Sequence, residues 1–356
     1  MLTTTGAKAF FIPPGTSNYF FYKLVPYATI TSTATGGAWS NPLTWSTGVV
    51  PTSNDDVVIP LGSTVTIDAD NLSCQSITIN GTLAGNGSFN LNVYGNWLNN
   101  GFYTATIDTV RFAGSTNATI SGTSATTFNN IKIDKSGNAS AIVEAIGGSG
   151  VTNNGNISLA NGIFKVSSGI FQFKSNPNIP STAGLWVNGG LVNSVSASFS
   201  VDNNGLVRVS AGTLNVGTSS GNSLTTSGST GKLEITGGVV NIAGRLENTN
   251  GSAVISGGVI TVSMIGNGLS STGSFHISAN TDLNMSGGTV VFQNPGTAST
   301  PIDLYIVGGG TGIKNITGGT FQFGNSSTPA SSTFLVNSVA PVYNLSINNA
   351  NTPSVK

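Results

Sequence analysis

The sequence predicts an all-β chain wound as a right-handed parallel β-helix, a solenoid, and three observations carry that expectation. Alternating apolar residues recur around a glycine step, the recurrences lie about one coil apart, and polarity comes from Asn, Ser and Thr rather than from charge. The phrase reads LEITGGVVNI at 233–242, AVISGGVITV at 253–262, DLNMSGGTVVF at 282–292 and KNITGGTFQF at 314–323, with looser copies around Gly162, Gly190 and Gly212. A repeated unit that cannot bury its own apolar face must stack on its neighbours.

Taking Gly162, Gly190, Gly212, Gly238, Gly258, Gly288 and Gly319 as anchors, the residues two and four further on are apolar at 13 of 14 positions, Ser194 being the exception. The residues five and three before each anchor are apolar except at Lys314. Between them stand Lys165, Arg208, Glu234, Asn215, Asn241, Asn284 and Gln322. Period-two alternation puts one set inside and the other in solvent. Ile235, Ile255, Met285 and Ile316 are expected in one interior row, and Ile242, Val262, Phe292 and Phe323 in another. Anchor spacings of 28, 22, 26, 20, 30 and 31 residues are coil-sized, whereas a sandwich shows turn signals every ~8–12 residues. A Gly-Gly step between alternating strands is also a hairpin signal, so a hairpin-built β-sandwich array is the alternative.

Four regions follow: a lead-in at 1–35, an opening β-helix region with a Trp-rich cap at 36–150, glycine-turn coils at 151–341, and the start of a further repeat at 342–356. Trp39 and Trp45 are expected to seal the first coil and so protect an open β edge. Only 7% of residues are charged and 48 are Gly, with 38% hydrophobic and a mean hydropathy of +0.16, which is not the composition of a disordered tract. Net charge is zero: no basic patch points to nucleic acid and no acidic run to bulk cation binding. The lone Cys74 excludes a disulfide framework and reads as a small buried hydrophobe. No apolar stretch is long enough to insert as a membrane helix, and the start, MLTTTGAKAFFIPPGT, lacks the basic opening of a signal peptide.

Residues 39–59 read WSNPLTWSTGVVPTSNDDVVI, and 93–137 contain VYGNWLNNGFYTATIDTVRFAGSTNATISGTSATTFNNIKIDKSG. The Trp-x5-Trp pair, the Gly-Val-x-Pro step, the Asp-Asp-Val-Val-Ile strand and the ending FNNIKIDKSG at 128–137, echoed by VYNLSINNAN at 342–351, resemble β-helical domains of large Bacteroidetes surface proteins. The likeness covers about residues 36–137 and returns at the C-terminus. It implies export by type IX secretion, kinship with gliding-motility adhesins, and a chain that is a piece of a longer polypeptide.

Candidate chemistry is sparse. His276, the sole histidine, is turned away from the face shared by Phe275 and Ile277 and is expected to be a solvated strand residue. Asp68 and Asp70 are weak Ca²⁺ candidates on one side of a strand or loop, with turn chemistry as the alternative reading. Asp55 and Asp56 are expected to shape the turn before Val57-Val58-Ile59. Arg208 and Glu234 are expected to form a surface ion pair if their repeats are adjacent. Trp186 is exposed by the alternation and is a weak candidate for stacking on a sugar ring; otherwise the loop at 167–184, with Phe171 and Phe173, covers it. No cofactor is expected. The function read from these residues is a non-enzymatic structural or adhesive segment of an extracellular surface protein, part of a fibre or stalk. Its expected partners are further domains of a longer polypeptide, like subunits, or surface glycan. A secreted carbohydrate-active β-helix enzyme is the alternative.

Overall fold

The computed structural model describes residues 28–194, 200–269, 272–297, 302–347 and 351–356; most of the 1–35 lead-in lies outside them. It is a β-solenoid of about 14 turns whose strands pair in parallel. Among the described residues the isolated bridge Ser32↔Trp45 is antiparallel.

Each coil contributes to three faces, here called A, B and C. In the first coils these are separate strands: Asp56–Ile59 on A, Thr64–Ile67 on B and Leu72–Cys74 on C. Later the A and B segments fuse into one long strand such as Lys232–Ile242, followed by a short C strand such as Arg245–Asn248. The hairpin alternative fails here. Residues 233–236 and 239–242 do not pair with each other; both halves pair in parallel with Leu206–Val216 on one side and Ser252–Val262 on the other.

The glycine step is therefore the corner between the A and B faces, and two separate constraints select glycine there. A Cβ on Gly257 would stand 2.4 Å from the Thr236 carbonyl oxygen of the coil beneath, while Gly258 holds φ at +75°, a region costly for L side chains. In the fused strands the corner also has constant length. Val187 and Val192, Val209 and Leu214, Ile235 and Val240, and Met285 and Val290 each lie five positions apart, all inward-facing pairs in matching register. Variation falls elsewhere: two residues join Ile242 to Arg245, but twelve join Val262 to Phe275.

The expected interior rows form. Ile235 pairs with Ile255, Ile255 with Met285, and Met285 with Ile316; Val262 pairs with Phe292 and Phe292 with Phe323. These residues belong to one continuous apolar cluster running from Ile30 to Val355. Gly162 is out of phase with the other anchors. It sits at the C-to-A corner, so Phe164 and Val166 stack on Leu185 and Val187, not on Val192 and Ser194. Its coil step is 21 residues, the separation of Phe164 from Leu185. The alternation is blind to which corner a glycine turns.

The two exceptions to the apolar rule differ. Ser194 is inward and fully buried despite its hydroxyl. Lys314 keeps its ammonium at the coil boundary, where Nζ donates to the carbonyls of Ala279, Thr281 and Gly312. At the N-terminal end Trp39 and Trp45 are buried edge to face at 5.0 Å, with Trp45 Nε1 donating to the Trp39 carbonyl at 2.7 Å. At the other end Asn344–Ile347 adds to the B face; Leu345 and Ile347 continue the rows of Phe321 and Phe323 yet are each 50% exposed.

Candidate functional site

Strand register decides what the outward residues can do, because side chains one coil apart stand only ~4.8 Å from each other. On the A face it aligns Glu144, Lys165, Trp186, Arg208 and Glu234 in five successive coils. Lys165 Nζ lies 2.9 Å from Glu144 and Arg208 Nη2 lies 2.6 Å from Glu234. Lys165 also sits 4.4 Å from the Trp186 ring centroid, and Arg208 Cζ 4.9 Å from it. The cations come from the coils on either side, so both faces of the indole are taken. Its Nε1 donates to Ser210 Oγ at 2.7 Å. Burial of Glu144 works against its charge, but the Ser167 hydroxyl and Lys165 outweigh it and hold the carboxyl below its usual range.

This arrangement bears on both readings of Trp186. A sugar ring needs a free indole face, and neither is free. Nor does the loop at 167–184 cover it: Phe171 and Phe173 are core residues, Phe171 standing edge-on to Phe164 at 5.0 Å.

The C face gathers the acid, base and phenol. Glu247, His276 and Tyr305 occupy one outward row. Arg245 Nε donates to Glu247 Oε2 at 2.9 Å, His276 Nδ1 stands 3.6 Å from Glu247 Oε1, and the His276 and Tyr305 rings stack at 5.0 Å. The imidazole and the guanidinium hold the Glu247 carboxyl below its ordinary range against the cost of burial. His276 is only 8% exposed, so the expectation of a solvated histidine is corrected: alternation set its direction, while Glu247 of the preceding coil and the stacked Tyr305 ring of the following one flank it. Asp303 is fully buried and accepts from Gly296 N, Leu335 N and Ser274 Oγ. Burial outweighs these bonds and pushes its carboxyl up to about 6. The group ties the corner segments around 296 and 335 to the C face, and its acid–base side chains are largely covered.

The candidate Ca²⁺ ligands do not converge. Asp68 accepts from Ser40 N and Ser40 Oγ of the preceding coil, whereas Asp70 accepts from Asn90 N and Nδ2 of the following one. Among the described residues no cluster of three or more His, Cys, Asp or Glu is placed to hold a metal. Asp55 accepts from Thr52 N and Oγ1, the turn-shaping role read from sequence; Asp56 is the first residue of the strand and accepts from Ser76 N of the next coil, a tie between coils in place of the expected turn role. Cys74 is buried, and burial pushes its thiol far up.

Sequence reasoning missed the B face. Its outward positions read Thr64 and Thr66, Thr82 and Ala84, Phe102 and Thr104, Thr127, Thr152, Ile170 and Gln172. They continue as Leu191 and Asn193, Thr213 and Asn215, Val239 and Asn241, Val259 and Thr261, Thr289 and Val291, Thr320 and Gln322. Among the described residues no strand position on this face carries a charge, while the A and C strands carry Glu144, Lys165, Arg208, Glu234, Arg111, Lys132 and Glu247. Asn215 Nδ2 donates to Asn193 Oδ1 at 2.8 Å and Asn241 Nδ2 to Asn215 Oδ1 at 2.9 Å, an amide ladder across three coils. Two depressions flank this stretch. One of about 430 Å³ runs along the A-to-B corner past Gly148, Gly169, Gly190 and Gly212 to Ile170, Leu191 and Thr213. The other, about 260 Å³, lies between Asn215 and Asn241 and the side chains of Met264 and Ile265. The signal for this face was the repeated Thr or Val two residues before Asn or Thr, as in TLN, VVN and VIT, once the corners are assigned.

A family model described as the G8 domain matches residues 44–162, about a third of the chain. It spans the coils from the Trp39–Trp45 cap to the strand Ile157–Val166. No curated protein and no solved structure matches the chain.

Proposed function

We propose that this chain is a non-enzymatic structural and adhesive segment of an extracellular bacterial surface protein, of the kind exported by Bacteroidetes, whose stacked coils act as a stalk. The observation that supports it most directly is the uninterrupted interior row from coil to coil. Such a core gains stability repeat by repeat and lengthens without a new design. The half-exposed Leu345 and Ile347 fit the same reading, since a further coil or a like subunit laid on them would bury them and cover an adhesive β edge. Protease shaving and antibody labelling of intact source cells test it. Surface labelling and an elongated native particle are expected; a chain protected inside intact cells overturns it.

The carbohydrate-active alternative rests on the C-face group of Arg245, Glu247, His276 and Tyr305. A general acid or base must reach its substrate, and here Glu247 and His276 are mostly covered. Release of reducing or unsaturated sugar ends from acidic and neutral polysaccharides, abolished by His276→Ala, would revive the enzyme; release abolished by Asp68→Ala or Asp70→Ala would place it at the first coils instead. No release is expected.

A further inference from the structure

We propose that the B face, over the coils from Ile170 to Thr261, binds an uncharged polysaccharide laid along the solenoid axis; this deepens the adhesive part of the reading above and rests on it. The first argument is charge. The face carries no ionic side chain at its strand positions, Lys174 standing at the margin with Nζ 2.9 Å from Gln172 Oε1, so an anionic or cationic polymer finds little to pair with along the strands, and desolvating an unpaired charge against them is costly. Its amides and hydroxyls both donate and accept, as sugar hydroxyls do, and Ile170, Val239 and Val259 offer aliphatic surface to the C–H faces of a pyranose.

The second argument is preorganisation. Each bond of the Asn193–Asn215–Asn241 ladder uses one of an amide's two N–H groups and one of its two oxygen lone pairs, leaving further capacity on each amide. The ladder orients the three amides at one-coil intervals of ~4.8 Å, so little entropy remains to be lost when a periodic ligand docks. The third is shape. The glycine corner at Gly169, Gly190 and Gly212 carries no side chain, so a polymer can lie close to the backbone there, with Met264 and Ile265 walling the opposite side.

Other occupants fit less well. An extended peptide binds by adding to a free strand edge, and these B-face strands are bonded to a neighbour on both sides. A stable interface with a second copy draws on buried aromatic anchors, and the outward rows of this stretch contain no aromatic residue.

The test is retention of the purified chain on microcrystalline cellulose, insoluble β-1,3-glucan and mannan, with alginate as the acidic control. Circular dichroism melts confirm that each variant is folded. Retention on at least one neutral polymer is expected, with little dependence on salt. Thr213→Glu and Thr213→Lys should each weaken it about tenfold or more, because either sign of charge is left unpaired beneath a neutral ligand. Asn284→Glu, an outward change on the A face, should leave it unaltered. Retention on none of the neutral polymers, stronger retention on alginate, or wild-type retention by folded Thr213 variants overturns the proposal. So does a dimer that Thr213→Glu dissociates in sedimentation, which would make the face a contact between copies. Each of these failures leaves the surface-labelling result untouched, so the two readings fail separately.

Discussion

Phe292 and Phe323 lie ring on ring inside the solenoid, centroids 4.7 Å apart and planes 7° from parallel, although 31 residues separate them in the chain. The contact shows what each coil supplies to the next: an inner-face residue of similar shape in the same register. Stability at such a site depends on both neighbours at once.

Ile255, fully buried between Ile235 and Met285, therefore should not tolerate charge. Ile255→Asp is expected to cost several kcal/mol through desolvation of an unpaired carboxylate, and Phe323→Ala about 3–5 kcal/mol through loss of packing. Urea or thermal melts measure both; a wild-type melt for Ile255→Asp would contradict the inside–outside assignment.

The corner glycines separate into testable kinds. Gly257→Ala forces a Cβ against the Thr236 carbonyl, and Gly258→Ala places one at φ +75°, so each should lose about 1–2 kcal/mol or more. Gly221→Ala, with open space around it and no positive φ, should be close to neutral. Equal melting losses at all three positions would remove the corner as the cause.

Stability should depend on pH through Asp303 with a definite sign. Its carboxyl is raised from 3.8 to about 6 in the fold, so between those values the native state binds more protons than the unfolded one. Stability then falls as pH rises through that window and improves on mild acidification. Lys135, lowered by burial from 10.5 to about 8, works in the alkaline range: there the unfolded state binds more protons and stability rises with pH. Melts from pH 4 to 7 on Asp303→Asn should lack the acid-side gain, and its persistence would assign the effect to another group.

Trp186 should behave as a structural residue. A double-mutant cycle on Lys165→Met and Trp186→Leu is expected to yield a coupling of about 0.5–1 kcal/mol. Trp186→Leu should leave polysaccharide retention intact; loss of retention with the fold preserved would return the indole to the binding surface.

The inner rows around Ile235 and Phe292 were legible because alternation reports inside against outside directly. The B face was not, although every residue on it was visible. Which outward residues share a face depends on where the corners fall, and the phase slip at Gly162 has the same origin. The surroundings of Trp186 depend on register with residues 21 before and 22 after it, which local periodicity does not encode. His276 was misread for a third reason. Its direction followed from Phe275 and Ile277, but its cover comes from the preceding and following coils.

In the fused strands from Ala183 onward the A-to-B corner keeps its length, whereas the connection from the B strand to the C strand there ranges from two residues after Ile242 to twelve after Val262. The fold thus has a permissive seam and an intolerant one. Foreign peptide cargo spliced beside Met264 or Gly296 would emerge from the seam that already accommodates length, while one residue added at Gly257–Gly258 would throw every downstream side chain of that strand out of phase. An engineer wishing to display an epitope, or a lineage acquiring a new loop, has one side of the screw on which to write.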